Sequence, residues 1–117
     1  MLRGGDPMYS SLRTSAEFDH VLRSGVRCRR GGVTLVASRR AEGRSRIGLV
    51  VGRRVGSAVV RNRVKRRLRA AVREIGLPTG VDCVVIASKA VADVPFSILC
   101  RWIRQATAGA SAGRRSV

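Results

Sequence analysis

Residues 53–73, RRVGSAVVRNRVKRRLRAAVR, hold nine Arg or Lys in 21 positions and arrange them around a helical apolar stripe. At about 100° per residue, one face of such a helix collects the apolar side chains, which are Val64, Leu68, Ala71, Val72 and Ile75. The other faces carry the polar side chains, which are Asn62, Arg63, Lys65, Arg66, Arg69 and Arg73. The pattern predicts a folded helix that lies on a core and turns its cations outward.

The first cations of this helix stand where the helix dipole disfavours them. Arg61 and Arg63 lie in or near the first turn, where a cation costs about 0.3–1 kcal/mol. Arg53 and Arg54 lie just upstream, before a Gly56-Ser57 turn that can cap the helix. Cations and unpaired backbone N–H groups at one helix terminus favour an anion, phosphate above all. We therefore interpret the segment as a polyanion-binding helix.

Composition supports an anionic partner. The net charge is +17, from 24 basic and 7 acidic residues in 117, which indicates nucleic acid first and an anionic membrane surface second. No run of 18 apolar residues predicts a transmembrane helix, and no apolar segment near Met1 predicts a secretory signal. We expect a cytoplasmic protein with one domain over residues 1–117, a core of about 10–108 and flexible ends.

Helical and strand patterns alternate along the rest of the chain. The predicted elements are a helix from Thr14 or Ser15 to about Arg23, strands over Val33–Ser38 and Arg46–Val51, the long helix from about Ala58 to Ile75, a buried strand over Asp82–Ala87, and a helix from Pro95 to about Ala108. The last helix has an apolar stripe that favours a core position. This order predicts an α+β fold, with three helices packed on a small mixed sheet of about four strands.

Residues for protein-based catalysis are not clustered in the sequence. The seven acids are scattered over separate segments, and they are Asp6, Glu17, Asp19, Glu42, Glu74, Asp82 and Asp93. His20 and the widely spaced Cys28, Cys83 and Cys100 do not have the spacing of a zinc site, and we expect reduced thiols. We therefore expect no catalytic residue, no metal ligand and no cofactor bound by the protein alone.

The segment RRVGSAVVRNRVKRRLR at residues 53–69 resembles the RNR motif of the protein component of bacterial ribonuclease P. That motif reads approximately K-[KR]-[VI]-G-x-A-V-x-R-N-R-x-K-R-x-[LI]-R, and Arg53 stands where Lys is usual. The preceding RIGLVVGRR and the following DCVVIASKA match the family at the expected distances. The resemblance covers roughly residues 10–105, and a motif of this length is highly specific.

The resemblance implies a subunit of a ribonucleoprotein that removes the 5′ leader of precursor tRNA. In the family the RNA subunit performs the hydrolysis and requires Mg²⁺, and the RNR helix contacts that RNA. The implied RNA-binding residues are Arg53, Arg54, Arg61, Asn62, Arg63, Lys65, Arg66 and Arg69. The implied partners are ribonuclease P RNA and precursor tRNA, with no obligate protein partner.

The family also binds the 5′ leader in a cleft between the first helix and the sheet. The resemblance assigns Phe18 and Leu22 to the helix side of this cleft, and Thr34 and Val36 to the sheet side. The family often has aromatic residues at the positions of Leu22 and Val36, where this chain has aliphatic residues, so the resemblance does not carry stacking on leader bases over to these two positions. The family fold is a two-layer α/β sandwich with a left-handed β-α-β crossover, related to a ribosomal-protein domain.

Two other functions are compatible with a basic α+β protein. A ribosomal-type module would bind structured RNA without promoting cleavage, and a freestanding nuclease would cut RNA by itself. The spacing of the RNR segment favours the ribonuclease P subunit over the first, and the scattered carboxylates count against the second.

Overall fold

A computed structural model describes residues 9–40 and 43–115 as an α+β fold. Its strands and helices, in chain order, are β1 Tyr9–Ser11, α1 Ser15–Ser24, β2 Val26–Arg30, β3 Val33–Arg39, β4 Ser45–Val51, α2 Ala58–Ile75, β5 Val81–Ala87 and α3 Phe96–Arg115. Two short 3₁₀ turns precede α2 and α3, at Arg53–Val55 and Lys89–Ala92. The predicted α+β class, three helices and order of the predicted elements are confirmed.

The sheet has five strands in the order β1-β4-β5-β3-β2. Strands β2, β3 and β5 pair antiparallel, whereas β1, β4 and β5 pair parallel, so the sheet is mixed as predicted. The unit β4–α2–β5 is the parallel crossover for which the family resemblance implies a left hand.

The main core lies between the sheet and helices α2 and α3. Alternate residues of β3 and β5, such as Leu35 and Val85, are fully buried there. The predicted apolar stripe of α2 packs on them, since Val64, Leu68, Ala71 and Val72 are all fully buried. Helix α1 lies on the opposite face, over a second and smaller cluster. The predicted two-layer sandwich therefore describes the main core, to which α1 adds a partial third layer.

Both outer strands, β1 and β2, were absent from the sequence-based prediction, so the predicted four-stranded sheet is too small. Strand β2 has three arginines in five residues, and only Val26 and Cys28 face the core. Gly31 has a φ of 56° in the two-residue turn that joins β2 to β3, a turn typical of hairpins. Trp102 of α3 lies so close to Gly31 that it leaves no room for a Cβ atom there.

Helix α3 continues to Arg115, whereas the prediction ended it near Ala108 and expected the end to be flexible. The small residues Gly109 and Ala110 lack an apolar pattern in the sequence but fit closely against the sheet. Ala110 is fully buried, and Gly109 approaches Cys28 of β2. The remaining parts of the prediction for the chain ends, residues 1–8 and 116–117, lie outside the described residues, as do loop residues 41 and 42.

The contact between Gly109 and Cys28 makes the length of α3 testable. A Cβ atom at Gly109 would collide with the Cys28 thiol, so Gly109→Ala should lower the free energy of unfolding by about 1–3 kcal/mol. Adding Cys28→Ala should recover part of this loss, because the thiol is removed and Ala favours a helix. Urea unfolding of the two single variants and the double variant measures this coupling. Stabilisation by Gly109→Ala alone would show that α3 does not contact β2 at this position.

Candidate nucleic-acid interface

Local structure at the start of α2 presents cations beside free backbone N–H groups. The Ser57 hydroxyl accepts a hydrogen bond from the Val60 N–H at 3.3 Å and caps the helix. Val55 is buried in the main core and anchors the 3₁₀ turn, while Arg53 and Arg54 of the same turn are exposed. No acidic residue lies in the first turn of α2. The positive end of the helix dipole is therefore not neutralised by the helix itself.

The exposed side of α2 carries most of the predicted RNA-binding residues. Asn62, Arg66 and Arg69 are exposed, and Arg61 and Lys65 are half-buried at the edges of the apolar stripe. In the part of the chain that the structure describes, none of these five side chains makes a hydrogen bond or ion pair with the protein. Their polar groups are available to an external anion.

Arg63 differs from the other predicted residues because it also has a contact within the protein. Its Nη2 atom donates a hydrogen bond to the Ala92 carbonyl at 3.2 Å and lies 3.5 Å from a carboxylate oxygen of Asp93. Its side chain is 49% exposed, so part of the guanidinium still faces solvent. Arg63 joins α2 to the turn before α3 and can contribute only its exposed edge to a nucleic acid.

Arg67 reinforces this connection one turn later. Its Nη2 atom donates a hydrogen bond to the Val94 carbonyl, just before α3 begins. The sequence prediction did not assign a role to Arg67, because its charge alone does not distinguish it from the surrounding arginines. The side chains of Arg63 and Arg67 are four residues apart and share one face of α2. That face is directed toward the segment before α3.

A second candidate surface is the sheet face that α1 covers only in part. Val21 of α1 is fully buried and packs with Val36 and Val84 of the sheet. The Phe18 ring lies over Gly48, where a Cβ atom would be 2.5 Å from the ring. We call this side of the sheet the α1 face. Helix α1 covers its middle, and the residues beyond the helix remain accessible.

The predicted leader-cleft residues are not equally accessible. Phe18 and Leu22 are half-buried on α1, and Thr34 is half-buried on β3, so all three have exposed surface. Val36 has no exposed surface, because Val21 and Val84 cover it. It supports α1 from below and does not line the accessible cleft in this structure.

Two residues that the prediction omitted lie beside Thr34. Ile86 of β5 is the register partner of Thr34, and Val50 of β4 is the register partner of Ile86. Both are half-buried on the α1 face. We call Thr34, Val50 and Ile86 the open strip. The continuous apolar run of β5 concealed this strip, because it does not show which alternate residues face the main core.

Helix α1 is attached to the α1 face by an ionic network. The Arg46 guanidinium donates two hydrogen bonds to the Asp82 carboxylate, at 2.9 and 2.7 Å, and one to Glu17 of α1 at 2.8 Å. Asp82 is buried, and Arg40 lies 3.6 Å from it. Hydrogen bonding to Asp82 raises the pKa of Arg46 above its ordinary value. Arg46 therefore stays charged and fixes α1 against β4 and β5.

Glu17 also closes a capping box at the start of α1. Its carboxylate accepts hydrogen bonds from the backbone N–H groups of Arg13 and Thr14, and the Thr14 hydroxyl accepts one from the Glu17 N–H. These backbone hydrogen bonds, with a further contribution from the charge of Arg46, hold the pKa of Glu17 below its usual value. The carboxylate is thus stabilised in its ionised form.

The carboxylates and cysteines of the described residues are not grouped for metal binding. Among residues 9–40 and 43–115, no three His, Cys, Asp or Glu side chains are placed to hold a metal ion. The two acids of the α1 network, Glu17 and Asp82, both bond to Arg46. No disulfide links Cys28, Cys83 and Cys100, all of which are described. No helix within the described ranges is both long and apolar enough to cross a membrane.

Helix α2 is rich in arginine, and most of its exposed cations have no acidic partner in the described structure. Such a helix in an α+β fold is typical of the class of basic proteins that bind a polyanion. Comparison with known proteins identifies the family, since the ribonuclease P family model matches residues 7–110. The chain belongs to the ribonuclease P protein family. The ribonuclease P protein component of Kocuria rhizophila is 43% identical over an alignment of 108 residues that covers 89% of this chain and 94% of that protein. The component from Pseudarthrobacter chlorophenolicus is 50% identical over 75% of this chain and 67% of its own length.

Solved structures share the fold. The ribonuclease P protein from Thermotoga maritima is 26% identical and superposes with a TM-score of 0.75, covering 84% of this chain and 94% of that one. The Staphylococcus aureus protein has a TM-score of 0.72 at 19% identity, covering 82% of this chain and 90% of its own, and therefore supports the fold alone. The predicted family and fold class are confirmed.

The different environments of the α2 arginines lead to a stability prediction. Arg67→Gln should lower the free energy of unfolding by about 1.5–3 kcal/mol, because a charged hydrogen bond to the Val94 carbonyl is lost. The double variant Arg66→Ala/Arg69→Ala should change it by less than about 0.5 kcal/mol, because both side chains are exposed. Urea unfolding measures both. Equal effects would show that Arg67 does not connect α2 to α3.

The lowered pKa of Glu17 predicts a pH dependence of stability. A carboxyl with a folded-state pKa below its unfolded-state value stabilises the fold above the unfolded-state pKa, and this contribution is lost as pH falls through the folded-state pKa. The free energy of unfolding should decrease as pH falls below about 4.3. The decrease should be smaller in Glu17→Gln, when urea unfolding is measured in pH steps.

Asp19 provides the matched control for Glu17. It is an exposed acid on the same helix, and no hydrogen bond or ion pair engages it among the described residues. Asp19→Asn should keep the pH dependence of the unsubstituted protein. The role assigned to Glu17 is wrong if both variants follow the unsubstituted protein.

Proposed function

We propose that this protein is the protein subunit of a bacterial ribonuclease P and promotes removal of the 5′ leader from precursor tRNA. Membership of the family and relatives named ribonuclease P protein component support this proposal. The observation that carries it is the exposed side of α2, where Arg66, Arg69 and Lys65 have no protein partner in the described structure. The protein acts where precursor tRNA is processed, in the bacterial cytoplasm.

The exposed side of α2 binds ribonuclease P RNA. Arginine groups grip phosphates with two hydrogen bonds, and the uncompensated start of the helix adds backbone N–H donors. Arg53 and Arg54 extend this surface upstream of the helix. Because Arg63 and Arg67 hold the start of α3, the RNA-binding helix has a fixed position relative to the sheet.

The open strip and the exposed parts of Phe18 and Leu22 bind the single-stranded leader of precursor tRNA. Among the residues whose side chains the structure describes, the cleft contains one aromatic ring, Phe18, so base stacking contributes less than it would in a cleft lined by several rings. The Arg46 network holds α1 over the sheet and sets the width of this cleft.

Catalysis is assigned to the RNA subunit. When bound to the RNA, Mg²⁺ would support hydrolysis, while this chain supplies cations. Arginines that lie between two RNAs reduce the repulsion between their phosphates, so substrate binding needs less Mg²⁺. Neither Glu17 nor Asp82 is available as a catalytic base, because Arg46 bonds to both.

Leader cleavage at low Mg²⁺ by a bacterial ribonuclease P RNA, with and without this protein, tests the function. We expect stimulation that requires the RNA, and no cleavage by the protein alone. Arg66→Ala/Arg69→Ala should weaken RNA binding and reduce the salt slope of log K by roughly one per lost contact. Tight RNA binding without stimulation would contradict the proposal and favour a ribosomal-type module. Cleavage by the protein alone would favour a freestanding nuclease.

A further inference from the structure

Strand β2 adds two arginines to the edge of the α1 face. In the antiparallel register, Arg27 lies opposite Val36 and Arg29 lies opposite Thr34. Opposed residues of neighbouring strands share one face of a sheet, so both side chains belong to the α1 face. Cys28 points to the opposite face and joins the main core. Both arginines are exposed.

Register continues from Arg29 across the accessible part of the sheet. Arg29 is followed by Thr34, Ile86 and Val50, one residue from each successive strand, and the last three form the open strip. Strands lie about 4.8 Å apart, so this row extends for roughly 14 Å. A single strand that crosses the open strip therefore reaches the β2 edge at Arg29.

The charges of Arg27 and Arg29 are not neutralised by the sheet. The described strands place one acid on the α1 face, Asp82, and it pairs with Arg46. Arg27 has no protein partner in the described part of the chain, and Arg29 makes a single long hydrogen bond of 3.4 Å from Nε to the Gly31 carbonyl. The Nη groups of Arg29 remain available.

The open strip beside these arginines has no aromatic side chain that could stack on bases. Thr34, Val50 and Ile86 present methyl, methylene and hydroxyl groups, and Val36 is covered. The exposed cations at the β2 edge instead match the repeating phosphates of a single strand. We propose that Arg27 and Arg29 bind the phosphate backbone of the leader where it leaves the open strip, so that leader binding is insensitive to base sequence. This inference rests on the proposed function and assigns further residues to it.

Arginines on an edge strand have a second use, because charge on an edge discourages pairing with another chain. That use predicts aggregation in charge-removing variants, whereas phosphate binding predicts a loss that depends on leader length. The two are separated by measuring a monomeric, folded variant with two substrates.

The experiment compares holoenzymes assembled with ribonuclease P RNA. Their dissociation constants are measured for a precursor tRNA with a long single-stranded leader and for one trimmed to a single leader nucleotide. Arg27→Gln/Arg29→Gln should weaken binding of the long-leader substrate roughly tenfold and leave the trimmed substrate unchanged, which corresponds to two lost phosphate contacts of about 0.7 kcal/mol each. Its salt slope for the long leader should fall by about 1.4.

Control variants distinguish charge from shape. Arg101→Gln removes an exposed cation from α3, the helix on the opposite side of the sheet, and should bind both substrates normally. Arg27→Lys/Arg29→Lys should retain most of the affinity, because a phosphate contact needs a cation. The loss in the Gln variant should be the same for leaders of different base composition.

Each alternative result has a distinct meaning. Equal weakening of both substrates, or none, would overturn the inference while leaving the proposed function intact. A loss that depends on leader bases would replace phosphate binding by base recognition and would also overturn it. If the unsubstituted holoenzyme binds both substrates equally, the leader contact in the proposed function fails as well.

Discussion

Burial of one sheet face by α2 and α3 determines which surfaces of this protein remain for RNA. Successive side chains of a strand point to opposite faces of the sheet, so when one residue packs into the main core, the next lies on the α1 face. In α2, burial of the apolar stripe places the cations between its residues on the outer side of the helix. The burial of alternate residues such as Leu35 and Val85 therefore fixes both candidate RNA surfaces at the same time. Apolar area removed from water is the dominant favourable term in folding, and the polar surface is arranged around it.

Electrostatics then separates the arginines into two groups with different tasks. Arg46, Arg63 and Arg67 bond to protein oxygens and hold elements together, whereas Arg66 and Arg69 have no such partner among the described residues. Self-repulsion in a chain of net charge +17 disfavours the compact state, and the paired arginines offset part of it. The unpaired arginines retain this repulsion until a polyanion binds. In the proposed function, stability and RNA affinity are thus assigned to different members of one residue type.

The α1 face combines a helix in a defined position with a strip of accessible sheet. Val36 and Val84 support α1 from below, and the Arg46 network holds its first turn, so the helix has a defined position over the sheet. Side chains of the open strip lie beyond the helix and keep exposed surface. The proposed cleft combines an aliphatic floor with arginines on β2, and this combination favours contacts to phosphate over contacts to bases.

The local sequence pattern was sufficient to predict α2, its bounds and its RNR segment. A 3.6-residue period and a helix cap are properties of residues that are close together in the sequence. The family followed from that segment. Tertiary contacts decided the rest: β2 pairs with β3 and packs against α3 through Cys28, and the small residues Gly109 and Ala110 of α3 fit against the sheet. Exposure of Thr34 but not Val36, and the inward bonding of Arg67, depend on which element lies above each side chain. The pattern of charge and hydrophobicity along a chain does not show which element will pack above a given side chain, so only the folded structure reveals it.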